Sequence, residues 1–190
     1  MSKPLKIILI CLCLVAISFG TVIGVSYLPH HIHQEFAGIE LLIMGEDDYE
    51  VLQPLSIRID GRVRYGIFDS HPWFDGFIEV NAYDFTLDNS NITIPFIHGF
   101  SMGGPMSYPV LTPTGGSTRI ETLGMIYTDE DFSSLAIMIT EWIALGGGSY
   151  QGQSGNRVIA APATDSSEAL NVLRLHNVFW LDEFGVVHRQ

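Results

Sequence analysis

The stretch Leu135-Ala136-Ile137-Met138-Ile139-Thr140-Glu141-Trp142 decides the fold. It is an apolar run rich in β-forming residues and bounded by turn residues, a pattern typical of a strand buried on both faces. Residues 117–128 alternate between polar and apolar, and Asp129-Glu130-Asp131 separates the two segments as a turn. The sequence therefore predicts a hairpin at the centre of an antiparallel sheet.

Further strand patterns lie outward from this hairpin in both directions. Pro95 lies in one of them and predicts an edge strand, because proline cannot donate to a hydrogen-bonded ladder. Asp60-Gly61 divides another pattern and predicts an irregular or bulged turn, in which a three-residue loop, Asp60-Gly61-Arg62, sets Ile59 opposite Val63. The predicted strands cover residues 35–44, 51–59, 63–65, 73–85, 92–97, 117–128, 132–142 and 156–161.

A single helix follows the strands. Asp165-Ser166-Ser167-Glu168 matches a capping box, so a helix is predicted from there to about His176. Residues 146–155 are rich in glycine and predict a loop. Together the elements predict a mainly β (α+β) domain, either an antiparallel β-sandwich or a strongly twisted sheet, completed by one C-terminal helix. The apolar face of that helix holds Ala169, Leu170 and Leu173.

An uninterrupted apolar segment, Ile7–Leu28, precedes the domain. As a helix rising ~1.5 Å per residue it would extend about 33 Å, enough to cross a hydrocarbon core about 30 Å thick. Lys3 and Lys6 come before it, so the positive-inside rule places the N-terminus in the cytoplasm. The predicted organisation is a cytoplasmic N-terminus (1–6), a transmembrane anchor (7–28), a neck (29–34) and an extracytoplasmic domain (35–190).

A cleaved secretory signal is the alternative interpretation of this segment. Ser18 and Gly20 are the small residues that a cleavage site after Gly20 requires, and cleavage would make the domain a secreted one. The apolar run continues to Val25, beyond the ~7–15 residues usual for a signal sequence, which favours the anchor. A lipid anchor on Cys11 or Cys13 fits less well, because a bulky residue precedes each cysteine.

The charge distribution excludes one class of partner. All 21 acidic residues follow Leu28, together with only seven arginines and no lysine. Such a surface does not hold nucleic acid, or an anionic membrane surface, through its net charge. The same part of the chain has no cysteine, so its stability depends on burial rather than on disulfides.

Three histidines, His30, His31 and His33, lie in the predicted neck. They are candidate metal ligands, but a metal site needs imidazoles fixed at bonding distance and oriented by further hydrogen bonds. A flexible neck fixes none of them, and in a strand only His31 and His33 would share a face. We therefore predict a polar linker and no cofactor.

Gly99-Phe100-Ser101-Met102-Gly103 fits the Gly-x-Ser-x-Gly pattern of a nucleophile elbow. The pattern resembles that of the α/β-hydrolase family, in which the serine lies between a strand and a helix and attacks an ester or amide carbonyl. Pro105 and Pro109 oppose a helix after the motif. Ser101 is thus a candidate nucleophile in an unsuitable context. Residues 99–118 are predicted as a loop, with a short strand at 108–111 as the alternative for that part.

Seven short motifs are spread over residues 35–175: Ile57–Gly61, Phe74–Ile78, Gly124–Tyr127, Asp131-Phe132, Leu135–Ile137, Ala160–Ala163 and Glu168–Leu170. Their order resembles an uncharacterised family of small, membrane-anchored extracytoplasmic proteins of Gram-positive bacteria. The resemblance implies an anchor and an outside domain, and it implies no catalytic residues.

The sequence thus predicts a membrane-anchored extracytoplasmic domain that acts as a non-enzymatic binding or envelope-associated module. Its predicted partners are the lipid bilayer, through residues 7–28, and an extracytoplasmic ligand or protein. The alternative function is a serine hydrolase that uses Ser101. Four aromatic residues in predicted loops favour ligand binding, with core positions as the alternative: Trp73, Phe74, Tyr108 and Tyr150.

Overall fold

The computed structural model describes most of the predicted extracytoplasmic domain. The predicted membrane segment, apart from Cys13, and the candidate nucleophile Ser101 lie outside the described residues. The described residues are 13, 29–45, 48–64, 72–87, 91–96, 102–111, 118–129, 131–145, 148–152, 156–176 and 178.

Within these residues the chain forms ten strands, a short 3-10 helix at Asp84–Thr86 and a C-terminal α-helix. The strands are β1 His30–Ile43, β2 Tyr49–Arg64, β3 Trp73–Val80, β4 Ile92–Pro95, β5 Met102–Leu111, β6 Thr118–Thr128, β7 Leu135–Ile139, β8 Glu141–Leu145, β9 Gly148–Gly152 and β10 Arg157–Ala161, and the helix is α1 Ser166–Leu175.

Eight of the strands form one antiparallel sheet that curls into a barrel-like shape. Strands β1 to β4 pair in chain order, as do β5 to β7, and β10 joins the two halves by pairing with β7 and β1. The end strands β4 and β5 approach closely, since a Cβ on Gly104 would lie 2.5 Å from Ile94 Cγ2. The mainly β, antiparallel prediction with one C-terminal helix is confirmed. The β-sandwich is wrong, because this pairing gives one curled sheet rather than two stacked ones.

Strand β7 shows how the interior is filled. Leu135, Ile137 and Ile139 point into the barrel, whereas Ala136 and Met138 pack under the helix on the outer side. The strand is buried on both faces and pairs with β6, as the sequence predicts. Aromatic rings fill one end of the interior, where Phe132 lies 5.3 Å from Phe74 and 5.8 Å from Phe96 between ring centroids.

Helix α1 covers one side of the barrel. Its first turn is capped as predicted, because the Asp165 carboxylate accepts a hydrogen bond from the Glu168 amide at 2.9 Å. Ala169 and Leu173 are buried against apolar side chains on the outer faces of β1, β7 and β10. The outer faces of β2 and β3 lie largely outside this footprint.

Strand β2 continues through Asp60-Gly61, so the predicted turn there is wrong. A Cβ on Gly61 would lie 2.6 Å from Phe74 Cζ and 2.7 Å from the Asp75 carbonyl oxygen. Glycine is needed here for the close approach of the neighbouring strand, not for a reversal of the chain. The predicted alternation survives in the unbroken strand, where the core-facing residues are Ile57, Ile59 and Val63.

Two segments predicted as loops are strands. Strand β5 pairs with β6 along Met102–Leu111, where the sequence offered a strand only as an alternative at 108–111. Strand β9 lies within the predicted loop 146–155 and pairs with β8. Prolines 105 and 109 fit in β5 because it ends the hydrogen-bonded order, where a missing N–H can face away from the ladder. Pro95 lies in the other end strand, as predicted. Strand β1 begins at His30, so residues 30–34, predicted as a neck, belong to it.

We expect Gly61→Ala to lower the free energy of unfolding by about 1–3 kcal/mol, the usual cost of overpacking a core. Urea unfolding followed by tryptophan fluorescence measures this. Gly45→Ala is the matched control, because its nearest neighbour, Asp48 Cβ, would lie at 3.6 Å. Equal effects of the two substitutions would contradict the close packing at Gly61.

Candidate functional site

The described residues do not provide the structural context that the alternative function, a serine hydrolase, requires around Ser101. Strand β5 begins at Met102, inside the Gly-x-Ser-x-Gly motif, so the described residues after Ser101 form a strand and not the helix that an elbow requires. Both Gly103 and Gly104 belong to this strand and are buried.

The three histidines lie at the start of β1. His31 and His33 point outward and are exposed, and His33 Nδ1 lies 3.0 Å from Asp60 Oδ2 on β2. Among the residues that the structure describes, no three His, Cys, Asp or Glu side chains come together as a group able to hold a metal.

The aromatic residues predicted at loops have two different environments. Phe74 and Tyr108 are fully buried in the inner core, so the binding-loop interpretation is wrong for them and the alternative, a core position, is confirmed. The Tyr108 hydroxyl donates a 2.7 Å hydrogen bond to the Ile78 carbonyl, and burial, aided by the charge of Glu79, raises the pKa of Tyr108. Trp73 is 41% exposed on the outer side of β3. The side chain of Tyr150 lies outside the described part of the chain.

A buried ion pair closes the other end of the barrel. Glu40 points inward from β1 and is completely buried. Its Oε1 atom accepts hydrogen bonds from Arg157 Nε and the Tyr83 hydroxyl, both at 2.9 Å, and Arg157 Nη2 also contacts it. Its Oε2 atom accepts a 2.8 Å hydrogen bond from Gln53 Nε2. The carboxylate is therefore satisfied on both oxygens, as a buried charge requires.

The sequence analysis did not identify this cluster, although it contains a detectable pattern. Glu40 interrupts the apolar run Ile39–Ile43. Because side chains alternate along a strand, Glu40 points to the inner face of β1, while Ile39 and Leu41 face the helix. Arg157, at the start of β10, likewise points inward and lies opposite Leu42 of β1. Because the side chains are mutually saturated, the cluster orders the open end of the barrel rather than presenting a reactive group.

A second polar cluster joins the β6–β7 turn to the end of α1. Ser134 Oγ lies 3.0 Å from Asp129 Oδ2 and 2.9 Å from His176 Nε2, and the side chains of Ser134 and His176 are buried. Ser133 Oγ donates to the same Asp129 oxygen at 2.7 Å. Although its burial raises the pKa of Asp129, these hydrogen bonds lower it below its usual value, so the carboxylate is ionised at neutral pH.

The direction of the protons in this cluster argues against nucleophilic catalysis. An ionised Asp129 only accepts hydrogen bonds, so the Ser134 hydroxyl proton points to it and His176 Nε2–H donates to Ser134 Oγ. A catalytic triad needs the opposite order, with the serine donating to the histidine. Burial lowers the pKa of His176, while the Asp129 charge and Ser134 partly oppose that shift.

The outer surface of β2 and β3, which we call the β2–β3 face, lies away from the helix and carries charged and aromatic side chains. Its strand register produces two aligned rows of side chains. Arg58 pairs with Glu79 at 3.4 Å and lies 5.1 Å from the Phe77 ring centroid, while Arg64 pairs with Asp75. The face consists of Arg58, Asp60, Arg62 and Arg64 on β2 and Trp73, Asp75, Phe77 and Glu79 on β3.

Arg62 differs from the other two arginines of this face, Arg58 and Arg64, which form ion pairs. It is exposed, and no carboxylate of the described residues lies within ion-pair distance of it, because Asp75 opposite it pairs with Arg64. The face holds three of the nine basic residues of the chain but only three of its 21 acidic residues. It is therefore much less acidic than the rest of the protein, and it combines an unpaired guanidinium with an exposed indole.

No family model, curated protein or solved structure matches the chain. Within the described residues, no helix has both the length and the apolar character needed to cross a membrane.

We expect Arg157→Met to lower the free energy of unfolding by about 3 kcal/mol, because it leaves Glu40 buried without its charged partner. Glu40→Gln combined with Arg157→Met should lose clearly less, since no charge then remains buried. Urea unfolding of the two variants measures the difference. A double variant as unstable as the single one would contradict a charged, buried Glu40.

Acidification should destabilise the protein through His176. Its pKa is lowered by folding, so between that pKa and about 6.5 the unfolded state binds more protons, and stability falls as the pH decreases. Urea midpoints measured from pH 7.5 to 5.5 should fall less in His176→Gln than in the wild type. The window lies above the range of Asp129, whose loss of stability begins only below about pH 4. Parallel curves for both proteins would contradict a neutral, buried His176.

Proposed function

We propose that this chain is a membrane-anchored extracytoplasmic module that binds a partner through the β2–β3 face and carries out no chemistry itself. The observation that carries the proposal is the combination of two exposed side chains on a face outside the footprint of α1: Trp73, and Arg62, which has no ion-pair partner among the described residues. Guanidinium groups and indole rings are enriched where proteins bind partners, because each provides a large contact area with few rotatable bonds lost.

The internal clusters support binding rather than catalysis. Glu40 is saturated by its three partners, and the Ser134 proton is directed towards Asp129. Ser101 is followed by a strand. None of these arrangements supplies an activated nucleophile next to a base.

The anchor rests on the sequence of Ile7–Leu28 and on the charges before it. The first described strand residue, His30, comes two positions after this segment. A domain that begins so soon after an anchor is held at the membrane surface, as expected of an envelope-associated module.

Isolated membranes from cells that express the full chain test both parts of the proposal. After alkaline carbonate extraction, the chain should remain in the membrane pellet with its full mass, since an integral span resists this treatment. A soluble product that lacks residues 1–20 would instead establish a cleaved signal.

The same membranes are then treated with a fluorophosphonate probe that labels activated serines. We expect no labelling of either the wild type or Ser101→Ala. Labelling that disappears in Ser101→Ala would overturn the non-enzymatic proposal and establish the hydrolase alternative.

A further inference from the structure

We infer that the edge of the β2–β3 face nearest the N-terminus, formed by Arg62, Arg64 and Trp73, rests on the phospholipid headgroups of the membrane that holds the chain. The inference depends on the proposed anchor and names the partner of the proposed binding face. We call these three residues the basic rim.

Chain length brings the basic rim to the membrane. In the strand register, His30 lies opposite Val63, and Arg64 lies opposite Trp73. Two extended residues span at most about 7 Å, so the end of the barrel that carries His30 stays close to the end of the span at Leu28. The basic rim is at that same end.

The chemistry of the rim fits an interface of phosphate and water. Arg62 has no carboxylate partner among the described residues, and guanidinium groups bind phosphate oxygens in a bidentate manner. Trp73 is exposed beside Arg64, and tryptophan is enriched at the level of lipid headgroups because its ring is apolar and its N–H is polar. Together they provide an anion contact and an interfacial ring within one pair of strands.

Two acidic residues lie beside the rim, but both already have partners, since Asp75 pairs with Arg64 and Asp60 Oδ2 lies 3.0 Å from His33 Nδ1. The described acidic residues at the two ends of the barrel lie away from the rim. Asp48 and Glu50 belong to the β1–β2 connection at the far end. Asp129 and Asp131 are at the near end, but on the β6–β7 turn, which lies across the barrel from β2 and β3 in the strand order. Local charge, rather than the negative net charge, therefore sets the contact, and the barrel should tilt towards the β2–β3 side.

The test uses the full chain reconstituted into phosphatidylcholine vesicles whose acyl chains are brominated near the headgroups. Bromine quenches tryptophans only at short range, so a seated Trp73 loses its emission. The chain has three tryptophans. We expect bromination to quench about a third of the wild-type emission, which is the contribution of one tryptophan in three. Trp73→Phe should not show this loss.

Arginine variants separate phosphate contact from mere proximity. Arg62→Gln combined with Arg64→Gln should reduce quenching to the level of Trp73→Phe, whereas replacing both with lysine should retain most of it. Arg119→Gln combined with Arg174→Gln is the matched control, because it removes the same charge from exposed arginines outside the rim. This control should be quenched like the wild type. Emission in unbrominated vesicles checks that each variant is folded.

The outcomes are distinguishable. If the chain leaves the vesicles on carbonate extraction, the anchor itself fails. If it remains and the wild type is quenched no more than Trp73→Phe, the contact with headgroups is overturned while the anchor stands. If quenching falls equally in the Arg62→Gln, Arg64→Gln variant and in the matched control, the role of Arg62 and Arg64 is overturned.

Discussion

The pairing of β1 with β10 is the interaction on which the rest of the structure depends. It places Ile39 opposite Ala160 across more than a hundred residues of chain and joins two meanders into one curled sheet. Without it, the halves β1–β4 and β5–β7 would each expose an apolar face, since neither has a second layer to cover it. The same two strands also bring Glu40 and Arg157 together, and their outer faces provide the apolar surface on which α1 packs.

The opposite junction, between β4 and β5, is closed by packing rather than by a ladder. Gly104 lets the backbone of β5 approach Ile94 and Pro95 within a distance that excludes any side chain. Pro95 and Pro105 lie on the two facing strands, and proline removes donors from a strand edge. Pro95, which predicted an edge strand, and Pro105, which opposed a helix after the serine motif, thus lie at a junction that no ladder of the described residues bridges.

Sequence patterns predicted the strands whose environment is uniform along their length. Strand β7 is buried on both sides and β3 alternates cleanly, so local composition was sufficient for both. Asp60-Gly61 failed because a turn propensity is local, whereas the pairing of β2 with both β1 and β3 is a long-range constraint that overrides it. The sequence also did not decide between a sandwich and a single curled sheet. The reason is related, since strand pairing is not encoded in any single segment.

The polar clusters were harder to predict than the fold, because their members are distant in sequence. Glu40 was detectable as one charge in an apolar run, but its partners lie at positions 53, 83 and 157. These polar side chains and the packed aromatic rings occupy the two ends, and the described interior between them is a packed apolar core. The proposed binding surface is therefore an outer one, and the helix already covers β1, β7 and β10. Among the described residues, the β2–β3 face combines charge with an exposed ring outside this footprint. The position of its Arg62 end nearest the predicted span follows from the strand topology rather than from a dedicated binding loop.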